Sequence, residues 1–397
     1  MPVGHKPARP TVETAQAPRS APVFAPGAVL AVKILSVVTT RGFEDDAVPV
    51  QGPEASTPLG DDDVAVMRPE TSPGSDLDAE LLLTMYRHMV RARVLDERMW
   101  VLNRQGRAPF VISCQGHEAA QVGMAMALRP GYDWIAPYYR DLALTLVLGM
   151  TPRDHLLALL ARAADPNSGG RQMPAHYGYR PLNIITGGSP VATQVLHAAG
   201  AALASRVRGE DAVAYTSLGE GSTSEGDFHE GLNFAAVHQL PLICVVENNG
   251  FAISVPWSKQ GHTKDVADRA LGYGMPGVIV DGLDPVASYH AMTEAVARAR
   301  RGEGPTLIEA KVARLTPHSS DDDDRPYKTR EAVAEEKAQD CVLRFRRVLE
   351  QRGVLSPGDA EEVRAQCMRE VDRAQEEAEN SPLPSPESLH LHVYGDQ

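Results

Sequence analysis

Two short clusters hold the side chains best suited to chemistry in this 397-residue chain: Gly219-Glu220-Gly221 and, 29 residues after Gly219, Asn248-Asn249. Each ends a short apolar run, Ala212–Leu218 and Pro241–Val246, with a predicted helix over Glu225–His238 between them. Continuously apolar runs of this length read as buried parallel strands. A right-handed crossover sets the two strand ends side by side, or nearly so, at the carboxyl edge of the sheet. Open α/β sheets bind ligands at that edge. Magnesium takes six hard oxygen donors at about 2.1 Å. The Glu220 carboxylate, the Asn249 amide oxygen, a backbone carbonyl just after it, phosphate oxygens and water would complete such a set. Glycines let the backbone approach a phosphate, and amides at a helix start face the anion. The predicted site therefore takes a metal-bound diphosphate. The glycines do not follow GxGxxG and no Lys-Ser/Thr pair follows them, so dinucleotide and P-loop nucleotide sites do not fit. A glycine-rich turn beside a satisfied surface Asn pair is the competing reading, and the spacing across strand, helix and strand weighs against it.

The elements around these clusters follow from hydrophobic period. From Asp76, Leu81, Met85 and Met89 recur with Leu82, Tyr86 and Val90 beside them, predicting an amphipathic helix that ends near Gln105-Gly106. A second helix is expected over Glu118–Leu128. A third covers the alanine-rich stretch 191–207, with Ser189 as its N-cap and Pro190 at its first position. Its small side chains suit core packing or a subunit contact. Gly277–Asp281 and Thr306–Val312 read as further strands around a helix at Pro285–Arg301. Arg314–Lys328 is a polar loop, and two charged helices follow near 329–352 and 357–379. The fold class is α/β, with a mostly parallel sheet covered by helices on both faces and helical N- and C-terminal extensions.

Residues 1–75 carry 11 of the 30 prolines and Asp61-Asp62-Asp63, and read as a disordered tail with Met67 as an alternative start. Residues 76–328 form the predicted α/β domain and 329–397 a helical extension. A net charge of −13 argues against nucleic acid as the main partner. No apolar run reaches the roughly 18 residues of a membrane span; Ala28–Val38 comes nearest and Lys33 interrupts it. Cys114, Cys244, Cys341 and Cys367 lack metal-ligand spacing and read as reduced, mostly buried thiols. These features predict a cytoplasmic protein.

The stretch GEGSTSEGDFHEGLNFAAVHQLPLICVVENNGFAIS resembles the thiamine-diphosphate signature of the 2-oxoacid dehydrogenase alpha subunits, over roughly residues 77–390. The resemblance implies the thiamine-diphosphate-binding fold. It also implies that Glu220, Asn249 and the Phe251 carbonyl hold magnesium, with Gly219, Gly221 and Ser222 beside the cofactor. Glu220 replaces the usual Asp and keeps the carboxylate. Tyr139-Arg140 resembles the pair that grips the diphosphate, a task suited to a permanently charged, forked donor. Ser189-Pro190-Val191-Ala192-Thr193-Gln194 resembles the segment against the aminopyrimidine, implying contacts from Ser189 and Val191. The same segment implies a potassium site at Ser189, Pro190, Thr193 and Gln194. His318-Ser319-Ser320-Asp321 resembles the loop of the catalytic histidine, making His318 both catalyst and cofactor contact. In mitochondrial relatives the serine at position 319 is a phosphorylation site. Taken alone, Arg140 would read as a surface ion pair and His318 as a solvated side chain. Some members place a diphosphate-contacting Arg where Glu247 stands, so that contact is lost here or comes from elsewhere.

Gly170-Arg171-Gln172-Met173-Pro174, His176-Tyr177-Gly178 and the HSSDD run resemble the branched-chain members. The implied activity is oxidative decarboxylation of 2-oxoacids such as 2-oxoisovalerate, with the acyl group passed to a lipoyl acyltransferase. The carboxylate that activates the aminopyrimidine comes from a beta subunit in two-chain members. Nothing after the Asn pair resembles a second thiamine domain, so an α2β2 assembly is expected. A pyruvate or acetoin dehydrogenase alpha subunit is the first alternative, and a non-catalytic scaffold of the same fold the second.

Overall fold

The computed structural model describes residues 65–67 and 77–391. In chain order the strands and α-helices are β1 (Val66–Met67), α1 (Ala79–Arg104), α2 (Glu118–Ala125), β2 (Trp134–Ala136), α3 (Leu142–Leu148), α4 (Pro152–Leu159), α5 (Thr193–Val207), β3 (Ala214–Gly219), α6 (Gly226–Val237), β4 (Leu242–Asn248), β5 (Phe251–Ala252), β6 (Val255–Pro256), β7 (Gly277–Asp281), α7 (Pro285–Arg300), β8 (Thr306–Lys311), α8 (Arg330–Ala338), α9 (Cys341–Gln351) and α10 (Pro357–Asn380). Six strands form one sheet in the order β1-β7-β8-β4-β3-β2, and every neighbouring pair in it is parallel. β5 and β6 make a separate antiparallel hairpin. The expected mostly parallel α/β fold is present.

Side-chain alternation along each strand builds the two faces. Ala214 and Leu218 of β3, with Leu242, Cys244 and Val246 of β4, pack with the buried face of α5 and with Phe228 and Leu232 of α6. Val213, Tyr215, Ile243 and Val245 point the other way, towards Ala120 and Met124 of α2, Leu144 of α3 and Met292 of α7. Beyond that second face, α1, α4, α9 and α10 share a further core through Leu82, Met85, Met89, Leu156, Leu349 and Val371. All four cysteines are free and buried. Among the described residues no helix is long and apolar enough to cross a membrane.

Caps explain several boundaries. Asp78 accepts the Leu81 N–H at 2.7 Å and starts α1. Thr151 with Asp154, and Ser356 with Asp359, form capping boxes with Pro at the first helical position. Two expected boundaries move. The single helix predicted over 329–352 is two helices, because Asp340 turns back to accept the Val342 and Leu343 amides and starts α9 afresh. Ser189 is not the N-cap of the alanine-rich helix: that helix begins at Thr193, after Ala192 in a left-handed conformation at φ 71°. Ser189 instead meets His176 Nε2 at 2.7 Å. In α5, Ala198, Ala199 and Ala202 are buried whereas Gly200 and Ala204 face outward.

Of the segment read as a tail, residues 1–64 and 68–75 lie outside the described residues, as does the Ala28–Val38 run. Val66–Met67 is the exception, because it pairs with Gly277 and Val278 at the edge of the sheet. A chain starting at Met67 would lack half of that strand.

Candidate active site

The register of β3 on β4 sets Gly219 opposite Glu247, and β8 on β4 sets Lys311 opposite Asn248. The chain leaves β2, β3, β4 and β8 along one carboxyl edge. A recess of about 320 Å³ opens there. Its walls include Tyr139, Arg140, Ser189, Val191, Gly219, Glu220, Gly221, Ser222, Asn249, Phe251 and His318. Every residue expected to touch the cofactor or hold magnesium thus borders one cavity. Pro190, Thr193 and Gln194 do not line it. Thr193 Oγ1 donates to Asp227 at 2.9 Å, and Gln194 Nε2 donates to the Ser217 carbonyl at 2.9 Å.

Glu220 opens a 3-10 turn, Glu220–Ser224, that separates β3 from α6. It is 1% exposed, and its Oε1 has no hydrogen-bond partner. Burial pushes its carboxyl pKa up, while its own N–H, the Asn249 N–H, Arg314 and Arg140 oppose the rise. A buried carboxylate oxygen without a donor is costly, and a cation would satisfy it. The adjoining Gly221 lines the recess and also meets a packing demand. A Cβ on Gly221 would meet Ala252 Cβ at 2.4 Å, so this glycine admits the β5–β6 hairpin against the turn. Ile253, in that hairpin, holds φ at 53°, a strained state for a β-branched residue and one that clusters at functional sites.

Arg140 is 1% exposed. It donates to the Ser113 carbonyl at 2.6 Å, to Tyr138 Oη at 3.3 Å and to the His318 carbonyl at 3.3 Å. Its Nη2 also lies 3.4 Å from His318 Nδ1, and its guanidinium sits 5.5 Å from the Tyr139 ring centre. Because Arg donates, Nδ1 accepts, which leaves the proton of a neutral His318 on Nε2. Burial, then Arg140 and Arg314, lower the His318 pKa to about 4, against a smaller opposing pull from Asp322.

Five contributors were not foreseen in these roles. Tyr138 lines the recess and lies 3.1 Å from the position of a Cβ on Gly219. Arg314, 1% exposed, donates to the Ile253 carbonyl at 2.8 Å and reaches the Phe251 carbonyl at 3.5 Å. It follows β8 at the same carboxyl edge, a position the strand-end rule could have flagged. His117 is completely buried and its Nδ1 meets Glu247 Oε2 at 2.6 Å; burial, then Arg140, hold its pKa well below the ordinary value, so it is neutral. Asp141 and Glu247 act on each other's titration, and burial raises both carboxyls, Asp141 further. Asp141 Oδ1 and Glu247 Oε1 are buried without a hydrogen-bond partner. One proton held by Asp141 satisfies both oxygens.

Residues 86–387 match the family model for the dehydrogenase E1 component. The chain belongs to that family. Members of this family depend on thiamine diphosphate. The chain is 55% identical, over 78% of its length and 94% of the relative's, to the 2-oxoisovalerate dehydrogenase subunit alpha of Bacillus subtilis. It is 43% identical, over 74% and 77%, to the 3-methyl-2-oxobutanoate dehydrogenase subunit alpha of Mycobacterium tuberculosis. Against the pyruvate dehydrogenase E1 component subunit alpha of Staphylococcus aureus the figures are 38%, 81% and 84%.

Proposed function

We propose that this E1 chain is the alpha subunit of a branched-chain 2-oxoacid dehydrogenase, a thiamine-dependent oxidoreductase that decarboxylates substrates such as 2-oxoisovalerate. The observation that carries the cofactor reading is Glu220 Oε1, buried and unpartnered in the wall of a recess shared with Asn249, Arg140 and His318. The substrate reading draws on two relatives named for the branched-chain acid, the pyruvate-named relative being less similar.

In this reading Glu220, Asn249 and the Phe251 carbonyl hold magnesium, an all-oxygen set that suits a hard cation. Tyr139 and Arg140 hold the diphosphate, and Ser189 and Val191 lie against the aminopyrimidine. When bound, thiamine diphosphate supplies the electron sink that lets a 2-oxoacid lose its carboxylate. The protein's own residues do the rest. Arg140 presents a permanent positive charge from the base of the recess, where low dielectric strengthens its pull on an anion. It also accounts for the missing basic residue at position 247, since it already stands at the recess wall. His318 is neutral at pH 7 and carries its proton on Nε2, ready to donate to or take one from the reacting oxygen. Potassium completes the reading: the Ser189 and Pro190 carbonyls, Thr193 Oγ1 and Gln194 Oε1 offer oxygens, and the bonds to Asp227 and Ser217 leave those lone pairs free.

The partner is a beta subunit in an α2β2 assembly, docked to a lipoyl acyltransferase core. Decarboxylation by the chain alone, with and without its beta subunit, tests the assembly; substantial turnover without the partner overturns it. With the complex reconstituted, kcat/KM should rank 2-oxoisovalerate above pyruvate and acetoin. A preference for either of those assigns the chain to the corresponding alternative.

A further inference from the structure

Glu247 precedes Asn249 by two residues, yet its side chain points away from the recess towards α2. Its Oε2 accepts from His117 Nδ1 at 2.6 Å and from Gln121 Nε2 at 3.0 Å. Both partners reach onward. Gln121 Nε2 also donates to the Arg140 carbonyl at 3.0 Å, and its Oε1 accepts the Ala143 N–H at 3.0 Å. Those bonds fix the Gln121 amide and tie Glu247 to the turn that carries Arg140. With its Nδ1–H facing a carboxylate, His117 keeps a lone pair on Nε2. Asn249 Nδ2 lies 3.4 Å from that atom. An amide can offer a lone pair only its NH2 end. Asn249 Oδ1 is therefore left on the side of Phe251, whose N–H it accepts at 3.2 Å. Turning the amide over would set oxygen against the imidazole lone pair. Glu247, His117 and Gln121 are 0% exposed, so water cannot take either partner's place.

We propose that Glu247 is a positioning residue: through His117 it sets the orientation of the Asn249 amide, and through Gln121 it holds the Arg140 backbone. One carboxylate behind β4 thus aligns both the metal side and the diphosphate side of the recess. A basic residue at this position would touch the anion directly, whereas Glu247 acts from behind the residues that do. The inference rests on the magnesium–diphosphate reading of the recess and adds three residues to it. Groups that orient metal ligands typically alter metal affinity 10–100-fold when removed.

The test is calorimetric titration of Mg2+ into the full-length chain, assembled with its partner subunit, in the presence of thiamine diphosphate. Glu247→Leu and His117→Leu should each weaken Mg2+ binding by roughly 10–100-fold. Because the two residues act in series, the double variant should be no weaker than the weaker single variant. His117→Gln should recover the affinity, since its Nε2 can donate to Glu247 while its Oε1 accepts from Asn249. A loss of packing alone would not be repaired by that substitution. No magnesium-dependent binding by the unaltered assembly would refute the cofactor reading itself. Normal binding by the unaltered assembly and by every variant would overturn the positioning role alone, as would His117→Gln binding as weakly as His117→Leu. If Glu247→Leu shows no cooperative melt, the two His117 variants decide the matter.

Discussion

The carboxyl edge of the sheet and the outer helical layer are both deeply buried, but charged groups weigh most in what the edge buries and apolar side chains in what the layer buries. In the recess wall and behind it lie Arg140, Asp141, Glu220, Glu247 and His117, each at most 1% exposed. The layer made by α1, α4, α9 and α10 buries Leu82, Met85, Met89, Leu349 and Val371, and leaves ion pairs such as Arg364–Glu97 at its surface. Desolvating a charge costs several kcal/mol unless partners repay it, whereas an apolar side chain gains by burial. The helical layer therefore stabilises the fold, while the edge gives up stability to hold charged groups where a ligand can use them. Damage at the edge should cost function before fold, and damage in the layer fold before function.

Glu220→Gln is the sharpest break of that contrast. It removes a buried negative charge whose Oε1 lacks a donor, so the unloaded protein should melt no lower than the original. Magnesium-dependent binding of thiamine diphosphate should vanish, as read by calorimetry. Unchanged affinity would instead favour a chain that keeps the fold only as a scaffold. The opposite pattern is expected for Met89→Ala in α1, where the side chain is 0% exposed. A cavity there should cost about 2–5 kcal/mol of stability, measured by chemical denaturation, with cofactor affinity per folded molecule unchanged. A drop in that affinity would show that the layer also shapes the recess.

The contrast also separates what could be read from the residues and what could not. Strand and helix periods gave the sheet and its two covers, because apolar runs broken by amphipathic helices leave few arrangements. The strand-end rule gathered Glu220 and Asn249, since two parallel strands deliver them to one edge, whereas Arg140 was reached only through the resemblance. Glu247 escaped for a physical reason. In a sheet covered on both faces, neighbouring strand residues look equally buried, and only the pleat decides that Glu247 faces α2. Its partners His117 and Gln121 lie more than a hundred residues earlier, so spacing along the chain gave no hint of them. Ser189 was misread as a cap because Ser-Pro is a frequent helix start, while Ala192 holds the left-handed turn that delays α5.

His155 and His318 test the contrast by pH. Both have pKa values lowered to about 4, with burial as the largest cause in each. His155 sits in α4 with the Tyr177 ring edge-on at 5.6 Å, and burial is the main cause of its shift. Its folded value lies below the unfolded value of about 6.5, so the folded state binds fewer protons. The stability it contributes is complete above pH 6.5 and drains away as the pH falls towards 4. Between pH 7 and pH 5 the loss is about 2 kcal/mol by this linkage. His155→Phe should remove that part of the acid sensitivity, seen as a smaller drop in the denaturation midpoint over the same interval. An equal drop in the variant would place the acid sensitivity elsewhere. His318 owes part of its shift to Arg140 and Arg314. A bound diphosphate would take up those charges and relax the His318 contribution, leaving that of His155 in place.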